Sequence, residues 1–327
     1  MISKKIIALA TTIVVGLNLF AQDDMLSLLD DGKGKKTHER VLTTFKEAKI
    51  INAQTTETVR AGTWAFNITH RFGNIGVASN GGGHTLYGLD NISDIRIGFD
   101  FGITKDLTVG VGRSKADELI DGYLKYRIMT QTTDNHIPFS MALYGDMSYN
   151  PQAASVFYNG IAPNSSDYTF KQNDVHRFTY VGQLILARRF GSRFSIELLP
   201  TYCHRNYVLA NINPNNSAAE TNDLFSLGGG FRLKFTKRIA FICDYFYTNS
   251  KYRMNNTANP YYMPLAVGVE IETGGHVFHI TFTNATGIIE NNFIPNTTDS
   301  WTKGGYKFGF NISRVFNYNG KKTAKKN

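Results

Sequence analysis

The stretch ISDIRIGFDFGITKDLTVGVGRS, residues 92–114, decides the fold. From Asp94 onward its even positions are Asp94, Arg96, Gly98, Asp100 and Gly102, and its odd positions are Ile95, Ile97, Phe99, Phe101 and Ile103. Strict alternation with period two is the mark of a β-strand with one apolar and one polar face. Thr104-Lys105-Asp106 turns the chain, and Leu107, Val109 and Val111 resume the apolar face opposite Thr108, Gly110 and Gly112. The unit is a hairpin, and hairpins recur to the end of the chain with no helical period between them. Such a ladder predicts an all-β fold: a closed up-and-down antiparallel transmembrane β-barrel.

The start sets the compartment. Lys4 and Lys5 precede an apolar run from Ile6 to Phe20, followed by Ala21-Gln22 and the acidic Asp23-Asp24. This reads as a cleaved secretory signal peptide over residues 1–22, too short and wrongly flanked for a membrane helix. Nothing downstream is apolar for long enough to be one. The expected location is the outer membrane. Residues 23–61 are polar and mixed, with Phe45, Ile50 and Ile51 as isolated apolar points, and read as a periplasmic N-terminal arm that folds partly into the barrel mouth. Residues 62–316 are the barrel, and 317–327 a basic disordered tail carrying Lys321, Lys322, Lys325 and Lys326. The net charge of +9 owes much to these two ends, so it does not call for nucleic acid. A basic tail on an exported chain is a solvated end or a contact with anionic surfaces.

The alternation predicts twelve strands: 62–72, 92–103, 107–114, 119–129, 139–149, 174–190, 194–208, 222–236, 239–254, 264–271, 276–286 and 303–316. Connections after the even strands are mostly short, and those after the odd strands mostly long, with 115–118 the exception. Membrane barrels sort their loops this way: short turns face the periplasm and long loops face outside. Aromatic residues gather at both strand ends. Trp64, Phe101, Phe190, Phe194 and Phe316 mark the short-turn end, and Phe72, Tyr149, Phe178 and Phe225 the other, as interfacial girdles would. Pro200 inside the seventh strand predicts a bulge. Cys203 and Cys243 fall on strands two apart with opposite facing, which argues against a disulfide.

The polar face then lines the lumen, with seven acidic and nine basic residues. The candidate site is a mixed constriction of Asp94, Arg96, Asp100, Asp121, Lys125 and Arg127. One reading is a salt-bridged interior that stiffens a narrow barrel. The other is a polar channel whose charges act on solutes, with lumenal glycines leaving space. Neither sign dominates, so weak selectivity is expected.

THRFGN at 69–74, YGLDN at 87–91, IRIGFDFGITKDLTVGVGRS at 95–114 and DGYLKYRIM at 121–129 resemble the uncharacterised outer-membrane β-barrel family of Bacteroidota, a domain-of-unknown-function family. FKEAKIINAQTTE at 45–57 resembles that family's N-terminal segment. The resemblance implies an outer-membrane barrel and no activity. The end, KFGFNI at 307–312 with Phe316, is similar to part of the barrel-assembly signal, so lipid of the outer membrane and the assembly machinery are the expected partners. The eleven-residue tail departs from the usual terminal aromatic.

The eight His residues are scattered, and no nucleophile elbow such as GxSxG is present. His276 and His279 are three apart, which on a strand puts them on opposite faces and makes them poor joint metal ligands. No catalytic residue, metal or cofactor is expected. The preferred function is a narrow, weakly selective channel for small polar solutes. A structural or ligand- or partner-binding barrel without transport is the alternative, and a barrel-embedded enzyme a third.

Overall fold

The computed structural model describes residues 38–76, 82–158, 172–273 and 276–318. The signal peptide and all of the basic tail beyond Tyr318 lie outside them. Residues 40–318 belong to one compact unit.

Alternation becomes a closed barrel. Strands β1 (Thr63–Asn74), β2 (Ile92–Gly102), β3 (Leu107–Ser114), β4 (Ile120–Met129), β5 (Ser140–Tyr149), β6 (Phe178–Phe190), β7 (Phe194–Arg205), β8 (Asp223–Lys234), β9 (Ile239–Asn249), β10 (Leu265–Glu272), β11 (His276–Thr283) and β12 (Lys307–Asn317) pair in sequence order. β12 closes on β1, with Trp64 opposite Phe316 and Ile68 opposite Ile312. All pairs are antiparallel, so every strand has two neighbours and no edge is left open in lipid.

The structure decides which face points out. Phe99 is 37 % exposed and the next residue, Asp100, 4 %. The same parity holds on every strand: Leu124, Leu143, Leu198, Leu227 and Ile280 are exposed, whereas Lys125, Asp146, Glu197, Asp244 and His279 are buried. A continuous exposed apolar belt of this kind is stable against lipid and not against water. Girdle residues meet across strands, with Trp64 stacked on Phe316 at 4.4 Å at the short-turn end and Tyr149 against Phe178 at 5.1 Å at the long-loop end. Among the described residues no helix is long and apolar enough to cross a membrane.

Two expectations need correcting. Pro200 introduces no bulge. The register of β7 against β6 is the same on both sides of it, with Gln183 opposite Thr201 and Leu186 opposite Leu198, and the ladder only lacks the two pairs between. Pro200 stays in step with Leu227 of β8 and faces outward. The lumenal glycines also do not leave space. A Cβ on Gly112 would lie 2.3 Å from the Arg96 guanidinium, and one on Gly228 would lie 2.4 Å from the Phe246 ring. Large inward side chains lie flat on the wall because these positions lack a Cβ. Cys203 and Cys243 are free, one buried inside and one on the outward face.

Facing yields a direct test. Phe99→Asp places a carboxylate against lipid at a cost of about 2 kcal/mol. It is expected to reduce the fraction of protein that shows the faster gel mobility of an unboiled folded barrel. Asp100→Asn, one residue on, is expected to assemble. The reverse pattern would exchange inside and outside.

Candidate functional site

The lumen is occupied from both ends. Residues 44–59 enter at the short-turn end as a hairpin, turn at 50–53, and return to β1. Ile50 N–H donates to Ala53 O at 2.8 Å and Thr55 N–H to Ala48 O at 2.9 Å. Glu57 ties the two limbs together by accepting from Thr44 N at 2.8 Å and Phe45 N at 3.2 Å. From the long-loop end, the β11–β12 connection folds inward with a short helix, α1 (Glu290–Asn296), whose first six residues are all buried.

The hairpin tip has a specific seat. Asp244 of β9 accepts the backbone N–H groups of Ile51, Asn52 and Ala53 on one carboxylate oxygen at 3.1, 2.7 and 3.2 Å. Its other oxygen accepts the Asn52 amide at 3.0 Å. The Asn52 carbonyl is in turn met by the Arg71 guanidinium at 2.5 Å. Arg71 also donates to Ala285 O at 3.1 Å and to Gly287 O, which fixes the inward loop. Lys49 completes the link between the two plugs, 3.6 Å from the Glu290 carboxylate and 3.4 Å from Ile288 O. Lower down, Lys125 donates to Ala48 O at 2.8 Å and Ser195 to Thr44 O at 2.5 Å.

Apolar packing backs the polar anchors. Phe45, Ile50 and Ile51 cluster with Ala187, Ile242 and Ala266 of the inner wall. The tip fits shallow dimples: a Cβ on Gly230 would stand 2.6 Å from Ile50 Cδ1. Above it, Phe293 meets Phe246 edge to face at 5.0 Å, within a cluster that includes Val181, Ile185, Leu199 and Leu224. The inner wall is uneven: the buried apolar residues that meet the plugs come mostly from β6–β10, which also carry Glu197, Asp244 and Glu270, while β1–β5 carry Asp94, Arg96, Asp100, Asp121 and Lys125.

The six candidate residues all lie on the β1–β5 side and face inward, but they form a ladder and not one ring. Asp94 stands near the long-loop end and accepts from Ala116 N at 2.8 Å. Arg96 and Asp121 form a bidentate pair at 3.0 and 2.5 Å. Asp100 accepts from Asn67 at 2.6 Å. Arg127 is at the short-turn end, bonded to Asp106 at 3.1 Å and 3.9 Å from Glu57 of the hairpin. The space left between this wall and the hairpin is a cavity of about 50 Å³, bordered by Lys49, Gln54, Asn67, Thr69 and Arg96. That is room for a few waters and not for a passing solute.

Sequence reading named the charged wall and missed the seat. Asp244 looked like one lumenal charge among many. The available signals were the apolar points Phe45, Ile50 and Ile51 in a polar arm, the GIIENNFI run at 287–294 inside a loop, and the apolar residues on both faces of β6. His276 and His279 do face opposite ways, with His279 buried inside, 3.4 Å from Glu270.

Residues 45–316 match the sequence model of the family described as a membrane-bound beta-barrel domain, DUF5777. The chain belongs to that family. The matched span starts at Phe45, the first buried apolar residue of the hairpin, so the DUF5777 match covers plug and barrel together. No curated protein matches the chain. Among solved structures it is similar to the NanC porin (TM-score 0.43, 8 % identity, covering 78 % of this chain and 98 % of that one). It is similar to the KdgM porin (0.42, 8 %, 78 % and 99 %). An outer membrane channel from Pseudomonas putida F1 is also similar (0.41, 11 %, 80 % and 98 %). These likenesses are remote.

The hairpin carries its own pH dependence. Burial pushes the Glu57 carboxyl above the ordinary carboxylate range, against the opposing N–H groups of Phe45 and Thr44 and the Arg127 charge. Burial raises Glu47 in the same way, against a hydrogen bond from Ser313. A raised carboxyl favours the seated, neutral form, so this contribution is complete below the ordinary carboxylate range and lost as pH climbs through the raised value. Relative to wild type, a Glu47→Gln, Glu57→Gln variant is expected to lose part of the acid-over-neutral gain in thermal midpoint, measured by gel mobility after heating. An unchanged difference between acid and neutral pH would contradict the assignment.

Proposed function

We propose that the protein is an outer-membrane channel for small polar solutes, held shut by the 44–59 hairpin. The observation that carries this reading is the construction of the closure. The lumen of a twelve-strand barrel is wider than side chains alone fill, and here it is closed by two inserted segments: the hairpin, seated on one carboxylate, and the inward β11–β12 loop, which is tied to it through Lys49 and Glu290 and would shift with it. With the hairpin withdrawn, the charged wall of Asp94, Arg96, Asp100, Asp121, Lys125 and Arg127 becomes the channel lining. Its signs are mixed, so conduction is weakly selective. In this orientation the short-turn end, where the hairpin enters, faces the periplasm.

The seat is strong enough to keep the channel closed most of the time. Burying Phe45, Ile50 and Ile51 contributes about 2 kcal/mol each, and the charge-assisted bonds at Asp244 on the order of 3 kcal/mol together. Removing the second term loosens the plug without abolishing its apolar hold.

Single-channel recording tests this. Wild type is expected to open rarely, and Asp244→Ala to raise the open probability on the order of 100-fold, the equivalent of that loss. Arg96→Ala with Arg127→Ala in the same background is expected to tilt conduction toward cations, because Asp94, Asp100 and Asp121 then dominate the local field. If folded Asp244→Ala protein is silent, a structural or binding barrel replaces the channel reading.

A further inference from the structure

The outward face at the short-turn end carries a charge pattern that closure of the lumen does not use. Arg188 projects outward from β6, opposite Ile196, and Arg314 from β12, opposite Phe66 and His276. Each guanidinium lies over a girdle ring: Arg188 is 5.0 Å from the Phe190 centroid and Arg314 is 4.9 Å from that of Phe316. Neither forms an ion pair among the described residues. The Arg188 contact is the Asn135 carbonyl oxygen at 3.5 Å, and its Nε has no partner.

The nearby turns add exposed Arg60, Lys105, Arg193, Lys237 and Arg238. Among the described residues from 40 on, Asp134 is the one exposed acid at that end. The long-loop end has no basic excess, with Asp90, Asp117, Glu118, Asp174 and Asp223 against Arg113, Lys115, Lys251 and Lys303. β12 ends at this basic rim, and the sequence beyond it carries four more lysines.

An outward guanidinium at a membrane interface reaches toward the headgroup layer and needs a counter-charge there. Among the described residues none pairs with Arg188 or Arg314. We propose that the short-turn rim binds acidic glycerophospholipid headgroups. Arg314 holds a lipid phosphate beside the Trp64–Phe316 stack, and Arg188 holds another beside Phe190. The guanidinium fork matches a phosphate in two parallel hydrogen bonds, while the acyl chains lie on the apolar belt. The basic turns form two arcs, Arg314, Arg60 and Lys105 on one side and Arg188, Arg193, Lys237 and Arg238 on the other. This assignment rests on the outward facing of the strands and is independent of whether the lumen conducts.

Trp64 makes the test direct, because the chain has only two Trp residues. In Trp301→Phe protein, fluorescence reports Trp64 alone. The full chain is reconstituted in phosphatidylcholine bilayers with a small fraction of either brominated phosphatidylglycerol or brominated phosphatidylcholine. Quenching is expected to show about fivefold preference for phosphatidylglycerol at low salt, diminishing as salt screens it. Arg314→Gln is expected to bring the two lipids to parity while the unboiled protein keeps its folded mobility. Native mass spectrometry of the unsubstituted chain counts retained phosphatidylglycerol against phosphatidylcholine without relying on Trp301→Phe. Equal retention and equal quenching of both lipids, or a preference undiminished in Arg314→Gln, overturns the proposal.

Discussion

Most charges that face the inside of this barrel are answered inside it; Glu197, buried with neither carboxylate oxygen hydrogen-bonded among the described residues, is an exception. Lipid surrounds the wall, and the lumen is filled, so bulk water is distant from most inward carboxylates and guanidinium groups. An unanswered buried charge costs several kcal/mol. The arrangement of the interior follows from that constraint. Arg96 is answered by Asp121 in a bidentate pair, and Arg232 by Glu270 at 2.6 Å. Arg71 and Asp244 are answered by the hairpin and the inward loop, through the Asn52 amide and backbone groups. The plugs are thus part of the charge balance of the wall, and the wall is incomplete without them.

The same constraint explains how far the sequence could be read. Strand positions, facing and closure are local properties, written as period two in residues 92–114 and repeated around the barrel. Lipid on one side enforces that pattern at every strand, so the register of Phe99 and Asp100 was readable without coordinates. The plug obeys no such period. Its seat joins Asn52 to Asp244 and Lys49 to Glu290, contacts between residues far apart in the chain that leave no spacing to recognise. What the sequence did contain were misplaced apolar residues: Ile50 and Ile51 in a polar arm, Phe293 and Ile294 in a long loop, and Val181 and Ile185 on the lumenal face. Each marked a surface that needed covering, and none named the partner.

The glycines show the limit of composition. Gly98, Gly110 and Gly112 on one stretch of wall read as empty volume when counted. In the structure they are where Arg96 and Tyr123 lie down, and Gly230 is where Ile50 reaches in. Small residues here shape the wall to its occupants. The closure is specific, held by a few directional bonds at its tip and by apolar contact along its sides.

Native-state hydrogen exchange at the amides of Ile51, Asn52 and Ala53 examines that seat most directly, with the full chain folded in lipid. These three N–H groups donate to Asp244 in the closed barrel. They are predicted to exchange far more slowly than an open chain, and to lose that protection in Asp244→Ala while the amides of β9 keep theirs. Exchange at open-chain rates in the wild type would show that the hairpin is not seated, and the account of a barrel closed by its own N-terminal segment would fail.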